Sequence, residues 1–230
     1  MARKPRFCPG GLAYHVMNRT PGRVELFGDA GDYQAFEKVL IEAIDQHRGM
    51  RLCAYCLMPN HFHLVLRPKT DGQLSRFMQR LTMTHAARWH AHRHSVGRGH
   101  LYQGRFRSFP IQQDHHFLSV CRYVERNALR ASLVAKAQNW RCSSLWARDD
   151  RTAALAQFLA PWPVNRPGRW VTMVNRVESA EELAALRRPV ARGRPYGDDH
   201  WSQRTAKALG TESSLRPIGR PKKPKSPTKS

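Results

Sequence analysis

An α+β fold of the ferredoxin-like type, an antiparallel sheet carrying helices on one face, is predicted by three features of the sequence. Its periodicities run strand, helix, strand, strand, helix, strand. A tight Pro59-Asn60 turn joins the second and third strands, and one more amphipathic helix follows the fourth.

Residues 1–11 are basic and bear Gly and Pro, as an arm would. Leu12 to Arg19 alternates as a strand, and Thr20-Pro21-Gly22 breaks it. From Asp32 to His47, Phe36, Val39, Leu40, Ala43 and Ile44 recur at helical spacing, and Gly49 closes the helix. Arg51 to Leu57 reads as the second strand, and His61 to Arg67 as a third, antiparallel to it. Asp71-Gly72 opens a helix marked on one side by Leu74, Phe77, Met78, Leu81 and His85, running to about His94. Gly97 to Gly104 is a loop. Arg105 to Gln112 alternates as the fourth strand, and Pro110 assigns it to an edge. Asp114 is the N-cap of the added helix, whose apolar stripe is Phe117, Leu118, Cys121, Val124 and Leu129.

After Trp140 the pattern weakens. Short helices are expected over Ala153–Leu159, Glu178–Arg188 and about Asp199–Leu209. The chain therefore divides into a main domain (1–150), a helical extension (151–190) and a basic, partly disordered tail (191–230) whose Pro-rich end has no acidic residue.

The formal charge is +22, from 39 Lys and Arg against 17 Asp and Glu, and this implies a polyanionic partner, nucleic acid foremost. At 41% hydrophobic residues the chain still buries a real core, which excludes general disorder. No apolar run approaches membrane-spanning length, and Met1-Ala2-Arg3-Lys4 leads into no signal-peptide apolar region, so a cytoplasmic protein with no membrane partner is expected. Five cysteines, an odd number, argue against a disulfide framework. Cys53-Ala54-Tyr55-Cys56 has no second pair at zinc-ribbon spacing, and on a strand an offset of three sends the two sulfurs to opposite faces.

The chemistry centres on Met58-Pro59-Asn60-His61-Phe62-His63. Strand alternation puts His61 and His63 on one face, where two imidazoles can converge on a divalent ion, and sends Phe62 to the other. A second constellation stands on the last domain helix, where Tyr123 and Asn127 are four apart and share a face. A tyrosine hydroxyl serves as a nucleophile where a metal and basic groups stabilise its phenolate, and an amide oxygen is a usable neutral ligand. Tyr14, Tyr55 and Tyr102 compete for the nucleophile role, but none has a helical partner at that offset. His85, His90, His92, His94, His115 and His116 are assigned to a solvent or DNA face.

Met-Pro-Asn-His-Phe-His-Leu-Val-Leu, Gly-Arg-Phe-Arg-Ser and Tyr-Val-Glu-Arg-Asn-Ala-Leu-Arg-Ala, in this order, resemble the REP-associated tyrosine transposases, members of the HUH (histidine-hydrophobic-histidine) single-tyrosine group. Tyr14-His15-Val16-Met17-Asn18-Arg19 and the Arg-Gly-Arg-Pro tail fit the same pattern, so the resemblance spans nearly the whole chain. Ala128 departs from it, since many relatives carry Pro after the Asn.

The resemblance implies strand nicking and joining on single-stranded or hairpin DNA, at repetitive extragenic palindromes, through a 5′-phosphotyrosine. His61, His63 and Asn127 would be ligands to Mg²⁺ or Mn²⁺, and Tyr123 the nucleophile. The DNA partner places the protein with the nucleoid, as a monomer or homodimer without a nucleotide cofactor. Arg105 and Arg107 on the fourth strand, and Arg122, Arg126 and Arg130 along the nucleophile helix, are candidates for phosphate contacts. Arg192 and Arg194 lie in a segment like an AT-hook, and Arg220, Lys222 and Lys223 add charge to the tail. Two alternatives stand beside this: a non-catalytic DNA-binding protein or repressor on the same fold, and a relaxase or replication initiator. The second normally belongs to larger proteins with a helicase or primase part, and this chain has no P-loop motif.

Overall fold

Alternation in four short segments builds the sheet. In the computed structural model, which describes residues 7–150 and 152–216, these are β1 (Ala13–Arg19), β2 (Arg51–Met58), β3 (His61–Arg67) and β4 (Arg107–Ile111). Their order is β2-β3-β1-β4, with antiparallel neighbours, as the split βαβ reading requires. Pro110 does fall in an edge strand. Arg105 lies before β4 rather than on it.

Two helices cover one face. α1 (Ala30–Gln46) starts at Asp29, whose side chain accepts from the Asp32 amide, and it buries Phe36, Val39, Leu40 and Ala43. α2 (Gln73–His92) buries Leu74, Phe77, Met78, Leu81 and His85, the stripe read from the sequence, so His85 lies in the core and not on the solvent or DNA face to which it was also assigned. With Tyr14, Val16, Tyr55, Leu57, Phe62, Leu64 and Leu66 from the sheet these form a dry core. Of the arm expected over residues 1–11, residues 1–6 lie outside the described residues, and 7–11 are tied down: the Gly11 amide donates to the Pro68 carbonyl, and a Cβ on Gly10 would lie 2.4 Å from the Lys69 carbonyl oxygen.

The other face is covered by α3 (His115–Glu125), capped by Asp114 as expected, together with α5 (Ser144–Asp149), α6 (Trp170–Asn175) and α7 (Ala180–Arg192). The added helix does not run on to Leu129. It breaks at Arg126, and a single turn, α4 (Asn127–Arg130), follows. Phe109, Ile111, Phe117, Val120, Val124, Trp170, Val174 and Leu186 share this second core, so the extension belongs to the packed body of the protein. Residue 190, the boundary expected between extension and tail, falls inside α7. Capping at Ser179 and Glu182 starts α7, and Gly193, at a φ of 70°, ends it. α8 (Asp199–Ala208) follows the helix expected at Asp199–Leu209.

One strand departs from simple alternation. The β2–β3 register shifts between Leu52 and Ala54, so Cys53 and Cys56 both face the second core and not opposite sides. The Cys53 carbonyl is satisfied by Arg148 and by the Trp162 indole, each at 2.8 Å. Both sheet edges are capped at points by later chain. Residues 142–143 and 159–160 bond along β2, and Tyr196 exchanges bonds with Pro110 and Gln112 beside β4.

Candidate active site

The second core carries a polar window at the centre of the sheet. β1 and β3 are antiparallel neighbours with His15 opposite Val65 and Met17 opposite His63, so His15 and His63 are diagonal neighbours on one face. Their rings lie 5.0 Å apart, and His15 Nε2 is 2.8 Å from His63 Nδ1. The His61 and His63 rings are 4.9 Å apart, nearly perpendicular. α3 passes over this pair and delivers Tyr123, whose ring centre is 5.9 Å from His63 and 6.3 Å from His15. The structure thus brings together His61, His63 and Tyr123, which lie up to 62 positions apart in sequence.

The rival tyrosines lie elsewhere. Tyr14, Tyr55 and Tyr102 are all buried in the dry core on the opposite face. Tyr14 donates to the Pro9 carbonyl, and Tyr102 pairs with His85 at 2.7 Å. Burial raises the pKa of all three well beyond the ordinary phenol range.

The electrostatics of the histidines suit a neutral donor set. Burial first, then the positive charge of Arg19 and Arg130, lowers His61 to about 4. Burial and the neighbouring histidines hold His63 well below the usual imidazole value. His15, buried beside His61, is lowered to about 3. His61 Nδ1 is 2.6 Å from Asn60 Oδ1, which can only accept, so His61 carries its proton on Nδ1 and leaves the Nε2 lone pair open. His63 has its Nδ1 engaged by His15, which leaves its Nε2 for the same purpose. Two neutral imidazoles with their outer nitrogens held by partners fit a divalent transition ion.

Asn127 fits less simply. Its Oδ1 accepts from Arg130 at 2.5 Å, while its Nδ2 is buried with no partner. Arg130 itself lies 4.1 Å above the Tyr123 ring centre and pairs with buried Glu178 at 2.8 Å. The positive charge expected beside the nucleophile is therefore present at Arg130.

Arg122 and Arg126 face the extension instead. Arg122 donates to the carbonyls of Met173 and Arg176 and pairs with Glu182. Arg126 donates to the carbonyls of Val174 and Asn175 and lies 3.6 Å from Glu178. Their partners are internal, and they fasten the extension to α3 where phosphate contacts were expected. Arg107 is exposed, and strand alternation puts it with Phe109 and Ile111 on the histidine face. The AT-hook-like segment is built into the fold: Arg192 ends α7 and bonds the Arg216 carbonyl, Arg194 pairs with Asp199, and Tyr196 lines the β4 edge. Arg220, Lys222 and Lys223 lie outside the described residues.

His15 and Glu178 are the site residues that sequence reasoning missed. For His15 the signal was its position on a strand with the same alternation as His61-Phe62-His63. Nothing local marked Glu178.

Among the described residues one group of three potential metal ligands clusters tightly, Asp114, His115 and His116. It stands at the N-terminal end of α3, about 12 Å of helix from Tyr123 at 1.5 Å per residue, and is separate from the His61–His63 pair.

A four-stranded antiparallel sheet thus carries paired histidines on a central strand, with a tyrosine delivered over the same face by a crossing helix. Comparison with known families matches residues 10–127, just over half the chain, to the family described as "Transposase IS200 like", and the protein belongs to that family. No curated protein matches. Among solved structures, a REP-associated tyrosine transposase bound to a REP hairpin is similar in fold: 19% identity, a TM-score of 0.53, and coverage of 78% of this chain and 96% of that one. A protein described as a transposase from Deinococcus radiodurans R1 matches at 22% identity and a TM-score of 0.38, over 54% of this chain and 96% of its own. Among the described residues no helix is long and apolar enough to cross a membrane.

Proposed function

We propose that this transposase-family protein nicks and rejoins single-stranded hairpin DNA through a 5′-phosphotyrosine on Tyr123, with Mg²⁺ or Mn²⁺ held by His61 and His63. The observation that carries the reading is the meeting of Tyr123 with His63 at 5.9 Å between ring centres, while Tyr14, Tyr55 and Tyr102 are locked in the core on the far face.

The hydroxyl oxygen of Tyr123 attacks the scissile phosphorus. A new P–O bond forms to the tyrosine, the bond to the 3′ oxygen breaks, the phenol proton is lost, and the departing oxygen takes up a proton to become a free 3′-OH. When bound, the divalent ion supplies Lewis-acid polarisation of the phosphate. Arg130 supplies fixed positive charge beside the same oxygens, with Glu178 holding its guanidinium in place. His15 holds His63: accepting from His63 Nδ1–H keeps the His63 Nε2 lone pair available, and neutrality keeps His15 an acceptor. Because the phosphotyrosine is a diester, a second 3′-OH reverses the step and joins strands without a nucleotide cofactor. Asn127 becomes a third ligand if Arg130 shares its Oδ1, which has a second lone pair.

The basic charge of the chain and the hairpin-bound relative support a DNA hairpin as the substrate. In this reading residues 1–150 form the catalytic domain, residues 151–190 buttress the nucleophile helix, and the basic tail (191–230) adds affinity. Incubation with hairpin DNA and Mn²⁺, followed by denaturing electrophoresis, tests it. A covalent protein–DNA adduct with an extendable 3′-OH is expected. Tight binding without adduct or nick would make the protein a DNA-binding repressor.

A further inference from the structure

One corner of the molecule, away from the paired histidines, departs from the basic character of the chain. The sequence has 39 Lys and Arg, yet residues 108–121 and 195–203 hold none, and they carry Asp114, His115, His116, Asp198, Asp199 and His200. The fold brings these two stretches together. Tyr196 exchanges backbone bonds with Pro110 and Gln112. The Gln112 side chain accepts from the Asp198 amide and donates to Asp198 Oδ2, each at 2.8 Å. The Tyr196 ring packs 5.1 Å from the His116 ring. A cation approaching this corner meets carboxylates and imidazoles before it meets a guanidinium.

Three ligand-bearing side chains converge there. Asp114, His115 and His116 offer donor atoms that all lie within 4.8 Å of one another. His115 Nδ1 is 3.8 Å from Asp114 Oδ2, and His116 Nδ1 is 2.8 Å from Asp114 Oδ1. Donors about 2.0–2.1 Å from a tetrahedral zinc ion stand about 3.3 Å from one another. That spacing falls between the two observed, so small side-chain rotations close the set. The His116 side chain is largely buried, and the His116 amide donates to Asp114 Oδ1, which holds the carboxylate in place. The His115 side chain is 78% exposed and leaves the site open to solvent. Two imidazoles and one carboxylate suit a borderline transition ion better than Mg²⁺, which prefers an all-oxygen shell.

We propose that Asp114, His115 and His116 form a second metal site, for a zinc-class transition ion, separate from the His61–His63 pair. The two imidazoles bind through Nδ1 and carry their protons on Nε2, and a fourth position stays open. Asp114 is the N-cap of α3, so the ion pins the start of the helix that carries Tyr123.

Calorimetric titration with Zn²⁺, without DNA, compares the full-length wild type with His115→Ala and Asp114→Asn, each first stripped of metal. His115 is exposed, and Asn caps a helix as well as Asp does, so both variants should keep the wild-type melting temperature before metal is added. Each should weaken one equivalent of Zn²⁺ by at least about 100-fold, since losing a ligand costs no less than losing a partner of a ligand. Zn²⁺ should also raise the thermal midpoint of the wild type more than that of His115→Ala. Equal stoichiometry and affinity in all three proteins overturns the site. A His115→Ala that binds Zn²⁺ as before but hairpin DNA more weakly overturns it too, and puts His115 on the DNA face. His61→Ala separates this site from the catalytic one. Additive loss of two equivalents in His61→Ala/His115→Ala supports two sites. Loss of one equivalent in His115→Ala and of none in His61→Ala supports this site while removing the catalytic metal.

Discussion

The two faces of the sheet are made by the same strands and do different work. Along β3, Phe62, Leu64 and Leu66 point into the dry core, while His61 and His63 point the other way. Along β1, Tyr14 and Val16 join the core while His15 meets His63. On one face the polar groups are few: His85 pairs with Tyr102, Tyr14 donates to the Pro9 carbonyl, and the Tyr55 hydroxyl is buried with no hydrogen-bond partner. On the other a cluster of imidazoles, a phenol and a guanidinium sits over apolar packing. A period of two lets a strand fix reactive side chains as firmly as core ones, because each histidine is held by the large side chains anchoring its neighbours.

The comparison predicts that changes on the two faces separate activity from stability. Tyr123→Phe removes one oxygen from the reactive face. Nick and covalent adduct should disappear together, by about 10⁴-fold or more, with the thermal midpoint and hairpin affinity unchanged. A Phe variant that still nicks would mean water is the nucleophile. Chelation, His61→Ala or His63→Ala should lower cleavage by about 10³-fold, the worth of several kcal/mol of charge stabilisation, and leave DNA affinity near wild type in a filter-binding assay. Undiminished cleavage in excess EDTA would remove the metal from the reaction.

Phe36→Ala strikes the dry face, where Phe36 packs 5.0 Å from Phe62 between ring centres. Denaturant unfolding should show a loss of about 3–5 kcal/mol, while the folded fraction still forms adduct. If adduct formation fell in proportion to nothing but itself, with stability intact, the division between faces would be wrong. His15→Ala should weaken Mn²⁺ binding by about 10–100-fold, read by calorimetry without DNA, and His15→Gln should restore part of it by supplying an acceptor. A purely structural His15 would move the melting temperature and not the metal affinity.

A separate effect is on the pH dependence of folding. Burial lowers His85 to about 4, against an ordinary value near 6.5. Between those values the unfolded chain binds the proton and the folded chain does not. Stability is therefore full above about pH 6.5 and falls below it, by at most about 1.4 kcal/mol per pH unit from this residue. His85→Gln should flatten the acid limb of a stability–pH curve; an identical slope would assign the acid loss to other groups.

Much of this was legible because it was local. Alternation around Phe62 separates the histidines from the core, and the 3.6 period marks the buried stripe of α2 from Leu74 to His85, though not the buried Gln73 at its start. What escaped depends on register and distance. That His15 meets His63 follows from the β1–β3 pairing, which no single strand encodes. The shift after Leu52 reverses the side on which Cys53 falls, and it is stabilised by Arg148 and Trp162, roughly a hundred residues on. Arg122 and Arg126 look like phosphate contacts from their spacing, and only the folded extension shows whose carbonyls they hold.

The anchoring of α3 also imposes an order in time. Its buried Glu125 accepts from Ser144 and from Trp170, each at 2.6 Å, and Arg126 and Arg130 wait on Glu178. During synthesis these partners are made after the helix that needs them. At ~5–20 residues per second, the stretch from Arg130 to Glu178 takes roughly 2–10 s to emerge. Through that interval the strand bearing His61 and His63 and the helix bearing Tyr123 already exist as sequence, but Glu125, Arg126 and Arg130 lack the partners that the extension supplies. The helix that carries Tyr123 therefore gains its last buried partners only when the extension has been made.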